Sequence, residues 1–398
     1  MSTLKTASLQ HPDASSNTIN LSSAGNVSIT GNVGIGTNSP TSKLDLGGNN
    51  VAGISSINGG QVGGRRNLII NGAFTIAQRS TSETGVNTNG YKTVDRWNYN
   101  RDTASVLTMS QDTNAPDGFA NSFKILVTTT ATPGTTDQDR IEQRIESQNV
   151  QHLKYGTSGA QQLTVSFWVK TNKTGNWSVG LYMDSSGYTI SQAYTVNSAD
   201  TWEYKTVTFA ANTAQAMTGN FRLWFTFAAG TDRKSGTSNT WSTSTTNRAV
   251  GQSVNLLDTI NNYWQITGVQ LEVGDTATPF EHRSYGEELS LCQRYFYRIG
   301  GAAAPICMAM AYSSSEAYGH VRLPQQMRVV PSLSYSSFPR LYKPSTQALA
   351  TLFQIDGGNS SSQDLRVRGD KSGHFTAGHA SWFQLNDSSQ TVDFDSEL

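Results

Sequence analysis

Three aromatic side chains on the polar faces of otherwise apolar strands are the residues best suited to chemistry in this sequence. In Leu163-Thr164-Val165-Ser166-Phe167-Trp168-Val169-Lys170 the aliphatics and Phe167 alternate to one side, which leaves Trp168 with Thr164, Ser166 and Lys170 on the other. In the stretch from Trp177 to Asp184, Val179, Leu181 and Met183 take the core side, and Tyr182 shares the opposite face with Ser178, Gly180 and Asp184. In Phe221-Arg222-Leu223-Trp224-Phe225-Thr226-Phe227, Trp224 falls with Arg222 and Thr226. A sugar ring offers a flat patch of C–H groups that stacks on Trp or Tyr, and Arg222, Asp184 and Thr226 can bond its hydroxyls. Trp168, Tyr182, Trp224, Arg222 and Asp184 are therefore candidate glycan-binding residues, the three rings expected to act together as a platform. Burial of the same rings against a loop or a neighbouring subunit is the competing reading, since Trp is usually mostly buried.

Catalysis has weaker support. Glycan cleavage needs two carboxylates about 5–10 Å apart across a cleft. Asp137, Asp139, Glu142 and Glu146 cluster, but Arg140 and Arg144 are interleaved with them, and solvated ion pairs are expected there. Asp184 beside Tyr182 is the other carboxylate of interest. His374 and His379 lack metal-ligand spacing, and there is no Gly-x-Ser-x-Gly motif, phosphate-binding loop or Cys/His dyad. The sequence is read as non-enzymatic, with no metal site.

Hydrophobic residues make up 36% of the 398 residues and charged ones only 15%, against about 25% charged in ordinary globular proteins. Ser, Thr, Asn, Gln and 36 Gly fill the difference, as in a β protein solvated by hydroxyls and amides. Net charge is zero and Lys and Arg are scattered, which gives no footprint for nucleic acid or anionic membrane. Cys292 and Cys307 sit in apolar surroundings and read as buried free thiols; a single bond between them is the alternative. No stretch resembles a signal peptide or a membrane span, so synthesis and folding in a cytoplasm are expected.

These side chains need strands to hold them, and from Asn67 to about Tyr285 strand-like alternations recur every ten to fifteen residues. Turn clusters separate them at Gly175-Asn176, Asp184-Ser185-Ser186-Gly187, Gly219-Asn220 and Thr231 to Asn239. This predicts a β-sandwich or jelly roll over 65–285. Ser284-Tyr285-Gly286-Glu287 matches a capping box, and Leu289, Cys292 and Phe296 are expected on one face of the short helix that follows. Short strands broken by Pro324, Pro331, Pro339 and Pro344 then make 286–398 a smaller β tip domain.

Residues 1–64 have no aromatic residue and end in a glycine-studded hinge. Within them Asn20 to Gly25, Asn26 to Gly31 and Asn32 to Thr37 form three hexads, each opening with Asn and a branched aliphatic. A few hexads cannot bury an apolar face alone. Val27, Ile29, Val33 and Ile35 are expected to meet their copies on an axis, as an extended arm of an intertwined homotrimer. A disordered Asn/Ser/Gly linker is the alternative.

Several motifs resemble a known family. Asn67-Leu68-Ile69-Ile70-Asn71-Gly72-Ala73-Phe74, Gln78-Arg79 and Val94-Asp95-Arg96-Trp97 resemble the opening of a jelly-roll module of bacteriophage tail fibres. Ile266 to Gly274, Thr278-Pro279-Phe280-Glu281 and Leu291-Cys292-Gln293-Arg294-Tyr295 resemble its close. Arg322-Leu323-Pro324, Met327-Arg328 and Pro331-Ser332 are similar to the distal domain that commonly follows. Leu4-Lys5, Leu9-Gln10-His11-Pro12 and Gly34-Ile35-Gly36-Thr37 resemble virion-anchoring arms of marine phage fibres. The resemblance spans nearly the whole chain and implies a trimeric structural protein of the virion tail, anchored through its N-terminal arm to other tail or baseplate proteins and recognising the host surface toward its C-terminal end. The module is also similar to carbohydrate-binding modules that hold a structural calcium on first- and last-strand carboxylates. Ala73 and Gly268 stand where those acids would be, so such a calcium would need carbonyl oxygens instead.

The sequence is thus read as an all-β tail-fibre or receptor-binding protein that attaches to a host-surface glycan by multivalent binding. A purely structural virion component, such as a baseplate, collar or head decoration protein, is the alternative, followed by a glycan-depolymerising enzyme.

Overall fold

The computed structural model describes residues 65–398 except 302 and 344, together with the backbone of short strands between Ser8 and Gln61. The chain divides into two compact units, 1–57 and 58–398. In the first, Ser8–Leu9, Ile19–Leu21 and Val27–Ile29 form an antiparallel sheet, and Val33–Gly34 pairs in parallel with Leu44–Asp45. The hexad side chains expected to trimerise, those of Val27, Ile29 and Val33, and the whole of Ile35, lie outside the described residues.

The second unit is all-β and opens with a sandwich. Its strands are β1 (Ser82–Val86), β2 (Gly90–Tyr91), β3 (Asn98–Asn100), β4 (Val106–Asp112), β5 (Ser122–Thr129), β6 (Gln138–Ile145), β7 (Leu163–Thr171), β8 (Gly175–Met183), β9 (Thr189–Val196), β10 (Glu203–Phe209), β11 (Phe221–Ala229) and β12 (Tyr263–Val273). They form two six-stranded sheets ordered β9-β8-β11-β6-β3-β2 and β10-β7-β12-β5-β4-β1, every pairing antiparallel. Alternation explains why the sheets face each other. Leu163, Val165, Phe167 and Val169 from β7 meet Phe221, Leu223, Phe225 and Phe227 from β11, all wholly buried. Phe167 and Phe225 lie edge to face at 4.9 Å, and Trp264 closes on Phe225 at 5.8 Å. Each such ring contributes about 1.5–3 kcal/mol by leaving water.

Asp184-Ser185-Ser186-Gly187 turns the chain between β8 and β9, with the Gly187 amide donating to the Met183 carbonyl (2.9 Å) at a φ of +71°. Gly175-Asn176, expected as a turn, instead opens β8, and a one-turn helix occupies Thr231–Lys234. The predicted helix forms over Tyr285–Gln293, where Ser284 Oγ accepts from the Glu287 amide at 3.3 Å. The Glu287 carboxylate turns to Arg65 rather than back to the cap. Phe296 lies beyond the helix, at the start of the next strand.

The remaining strands are β13 (Phe296–Gly300), β14 (Pro305–Ala311), β15 (Glu316–Arg322), β16 (Ser332–Tyr335), β17 (Arg340–Lys343), β18 (Thr346–Leu349), β19 (Leu352–Ile355), β20 (Asp364–Asp370), β21 (Ala380–Gln384) and β22 (Thr391–Asp395). They make a three-stranded sheet, β13-β22-β16, and a seven-stranded one, β18-β17-β21-β14-β15-β20-β19. Phe353, Phe383, Val367 and Phe394 anchor a hydrophobic core distinct from that of the sandwich. Both cysteines are free; Cys292 is buried as expected, whereas Cys307 is only half-buried.

Polar contacts tie these sheets to the sandwich. Arg294 donates to both oxygens of Glu146 (2.9 and 3.0 Å), and Arg298 bridges Asp393 and the Arg79 carbonyl. Glu397, just past β22, pairs with Arg96 and lies 3.5 Å from Arg79.

Candidate functional site

The register of β8, β11 and β6 lays the outward side chains of the first sheet in rows. Tyr182 stands opposite Arg222 and Arg222 opposite Arg144; Gly180 opposite Trp224 and Trp224 opposite Glu142; Ser178 opposite Thr226 and Thr226 opposite Arg140. Strand parity alone therefore assembles a patch of aromatics, guanidiniums and carboxylates.

Trp224 is its floor. It is only 2% exposed although it lies on the polar face, because the missing Cβ of Gly180 lets the indole settle onto β8. A Cβ at Gly180 would lie 2.6 Å from Trp224 Nε1. Tyr182 lies above, half-buried, with ring centroids 5.7 Å apart. Trp224 Nε1 donates to the Arg248 carbonyl at 3.2 Å, and Gln138 Nε2 donates to the same oxygen at 3.2 Å. These two bonds fasten the irregular segment after β11 across the sheet. Ser191 Oγ on β9 adds a third, donating to the Asn247 carbonyl at 2.7 Å.

Glu142, fully buried, organises the charges. Arg222 Nη1 donates to its Oε1 at 2.8 Å, Arg140 Nε to its Oε2 at 3.0 Å, and Arg144 Nε to Oε1 at 3.2 Å. Burial pushes its pKa up, but Arg140, Arg222 and Arg144 together outweigh burial and hold it below the usual range. Asp184 pairs with Arg222 Nε. Burial disfavours the charge on Arg222, yet Glu142 and Asp184 overcome this and raise its pKa.

Arg140, Tyr182, Arg222, Trp224 and Arg248 line an open cavity of about 200 Å³. Both Arg222 and Arg248 lie over the Tyr182 ring, at 5.4 and 5.5 Å, and Arg140 lies 5.5 Å from the Trp224 ring. Tyr182, Trp224, Arg222 and Asp184, expected from the sequence, are thus brought together. Arg140 and Arg248 were not anticipated as site residues. In the sequence Arg140 reads as one of a run of solvated ion pairs, and Arg248 lies in a segment without periodicity.

Trp168 is not part of this group, which corrects the expectation of one platform. Its neighbour Phe167 meets Phe225 across the core, so Trp168 and Trp224 project from opposite faces of the sandwich. Trp168 lies 5.4 Å from Tyr204, which is 45% exposed, beside a cavity of about 300 Å³ that Phe119, His282 and Gly268 also line.

Of the acids in the Asp137–Glu146 stretch, Asp139, Glu142 and Glu146 form buried ion pairs and hydrogen bonds rather than solvated ones, whereas Asp137 is only half-buried and accepts from the Gly134 amide at 2.8 Å. Asp139 accepts from the amides of Asp102 and Thr103 (2.9 and 3.0 Å) and from the Tyr99 hydroxyl (3.1 Å). Glu146 accepts from Arg294 and from the Tyr295 hydroxyl at 2.6 Å. These carboxylates hold the fold together. The two positions where a module-type calcium would take its carboxylates offer none. Ala73 supplies no side-chain oxygen, and Gly268 packs against Phe119, whose ring would lie 2.6 Å from a Cβ there. Among the described residues no three His, Cys, Asp or Glu side chains group to hold a metal, and no helix is long and apolar enough to cross a membrane.

A larger cavity, about 660 Å³, lies on the seven-stranded sheet between Met308, Met310, Tyr312, Tyr318, His320 and Arg366. Tyr312 is 71% exposed, and Arg366 lies 4.1 Å from the Tyr318 ring centroid.

No protein-family model and no curated protein matches the chain significantly. Among solved structures, the enzymatically active domain of bacteriophage CBA120 tailspike protein 4 is similar at 12% identity and a TM-score of 0.28, over 52% of this chain and 21% of that one. TmCBM61 in complex with β-1,4-galactotriose is similar at 10% identity and a TM-score of 0.29, over 52% of this chain and 99% of the module. The family 11 carbohydrate-binding module from Clostridium thermocellum, bound to a β-1,3-1,4-mixed-linked tetrasaccharide, is similar at 10% identity and a TM-score of 0.26, over 50% and 99%.

Proposed function

We propose that this chain is a non-enzymatic, glycan-binding phage tail-fibre protein, and that the outer face of the β9-β8-β11-β6-β3-β2 sheet carries its sugar site. The observation behind the site is the half-buried Tyr182 above Trp224, with Arg222, Arg140 and Arg248 around one cavity. An aromatic face for the C–H patch of a sugar and convergent donors for its hydroxyls are what glycan recognition requires. A cavity of about 200 Å³ suits one sugar unit or its substituent rather than a whole oligosaccharide. Binding at one such site is weak. Three copies per fibre and several fibres per particle make it lasting, because each later contact is intramolecular. The virion role and the trimer rest on the order and spacing of the tail-fibre-like motifs and on the hexads of the arm.

The test is a carbohydrate array probed with the full-length protein and with Tyr182→Ala. Binding by the wild type that is lost in a folded Tyr182→Ala variant supports the reading. Retained binding in that variant moves recognition off this sheet. Absence of binding to the array and to host cells favours a purely structural virion role.

A further inference from the structure

The charges around Tyr182 do not balance. Arg140, Arg222 and Arg248 line the pocket and stand against Glu142 and Asp184, three guanidiniums to two carboxylates, while Arg144 also donates to the Leu398 main-chain oxygen at 2.7 Å. Arg140, Arg144 and Arg222 share Glu142, and Arg222 also takes Asp184. Arg248 has no acidic partner among the described residues, and its Nε is buried without a hydrogen-bond partner. The main chain cannot move it away, because the Arg248 carbonyl is held by Trp224 and Gln138.

The neighbours of Arg248 aggravate the imbalance. Burial lowers its pKa, and the like charges of Arg140 and Arg233 lower it further against weaker opposing effects of Tyr182 and Asp102. Arg233 is held by the Thr136 carbonyl (2.6 Å), and Asp102 by the amide of Gln138 (2.9 Å), so neither relieves it. A guanidinium kept partly from water with an orphaned N–H is costly, and an anion that accepts from it removes that penalty. Arginine presents two parallel N–H groups that match two oxygens of a carboxylate or sulfate, and that pairing is charge-assisted, whereas neutral sugar hydroxyls accept the same bonds without compensating the charge.

We infer that the pocket between Tyr182 and Arg248 takes an acidic sugar, one bearing a carboxylate or a sulfate, with Arg248 as its charge partner and Tyr182 stacking on its ring. This rests on the glycan-binding reading and narrows it to a substrate class. The residual positive charge also selects against neutral polymers, because binding them leaves Arg248 uncompensated.

The full-length protein is tested by affinity electrophoresis and calorimetry against polygalacturonate, dextran sulfate, fully methyl-esterified pectin and dextran. The first two distinguish carboxylate from sulfate, and the last two are their uncharged counterparts. Expected is binding to at least one acidic polymer and at least tenfold weaker binding to its uncharged counterpart. Arg248→Ala should lose at least tenfold toward the acidic polymer, Arg248→Lys should retain part of it, and the melting temperature of Arg248→Ala should hold or rise because no ion pair is removed. Arg322→Ala, at an exposed surface pair with Asp364, should change nothing. Equal binding to charged and uncharged polymers overturns the inference and leaves the glycan reading standing. An equal loss in Arg248→Ala and Arg322→Ala overturns it as diffuse charge attraction. Binding to none of the four overturns the inference, and the glycan reading then stands or falls on the wider array.

Discussion

The Arg96 guanidinium lies 3.4 Å from the centroid of the Tyr295 ring, joining the sandwich to the segment that leads into the C-terminal sheets. Its side chain is only 1% exposed and pairs with Glu397, while Nη2 donates to the Arg144 carbonyl at 2.7 Å. Tyr295 in turn donates to Glu146, which Arg294 also holds.

Removing Glu397 should therefore be severe. Glu397→Ala leaves the Arg96 charge buried without its acid, which costs roughly 3–5 kcal/mol. Urea unfolding should show the loss, with Glu397→Gln falling between the variant and the wild type. A change under about 1 kcal/mol would mean that Tyr295 and the Arg144 carbonyl suffice for Arg96.

The sheet site should be acid-sensitive through Glu142. Its folded pKa is depressed below the unfolded value of about 4.3. Its contribution is therefore complete above that value and lost as pH falls through the folded pKa. Melting temperatures between pH 2.5 and 6 should decline at the acid end, and Glu142→Gln should be less stable at pH 6 but flatter across the range. A parallel decline in both proteins would assign the acid sensitivity to other carboxylates.

Gly180→Ala tests how the floor of the site is made. The added methyl would meet Trp224 Nε1 at 2.6 Å and the Ile190 carbonyl at 2.9 Å. Overpacking of this kind costs about 1–3 kcal/mol. The melting temperature should drop and sugar binding should weaken with it, since Tyr182 rests on the displaced indole. Gly286→Ala, in the helix where a Cβ meets nothing within 4 Å, is the control and should hold or raise the melting temperature.

Because Trp168 and Tyr182 occupy different sheets, single variants separate the two faces. Tyr182→Ala should weaken glycan binding about tenfold or more, a loss of roughly 1.4 kcal/mol. Trp168→Ala should leave it unchanged. The reverse result would place recognition in the Trp168–Tyr204 cavity, and two unaffected variants would move it to Tyr312 and Tyr318 on the seven-stranded sheet.

Assembly is checked by light scattering of the full-length chain, expected as a trimer at micromolar concentration. Val33→Asp with Ile35→Asp should shift it toward monomer while near-ultraviolet circular dichroism of the sandwich persists. A monomeric wild type would remove the hexads as an assembly device.

Alternation made the strand faces legible in the sequence. Leu163, Val165, Phe167 and Val169 are buried as their parity requires, and Ser284 caps the helix it was expected to cap. Parity does not say which sheet a strand joins, which is why Trp168 and Trp224 looked like neighbours and stand on opposite sides. It is also silent about what covers a polar face. The Asp137–Glu146 stretch reads as solvated because Arg140 and Arg144 are interleaved with its acids, yet the Arg248 segment bonds to Gln138 and Trp224, and Leu398 accepts from Arg144. Those are long-range contacts, set by where irregular chain returns.

Strand β22 runs between β13 and β16 with antiparallel bonds to both, and Glu397 just beyond it is clamped to the sandwich. Traction along β22 acts across its hydrogen bonds in shear, so they share the load instead of opening one after another. The joint between the C-terminal sheets and the sandwich should thus behave as a stiff mechanical coupling, withstanding tension up to a threshold and then parting abruptly. Peeling β16 away sideways would meet far less resistance.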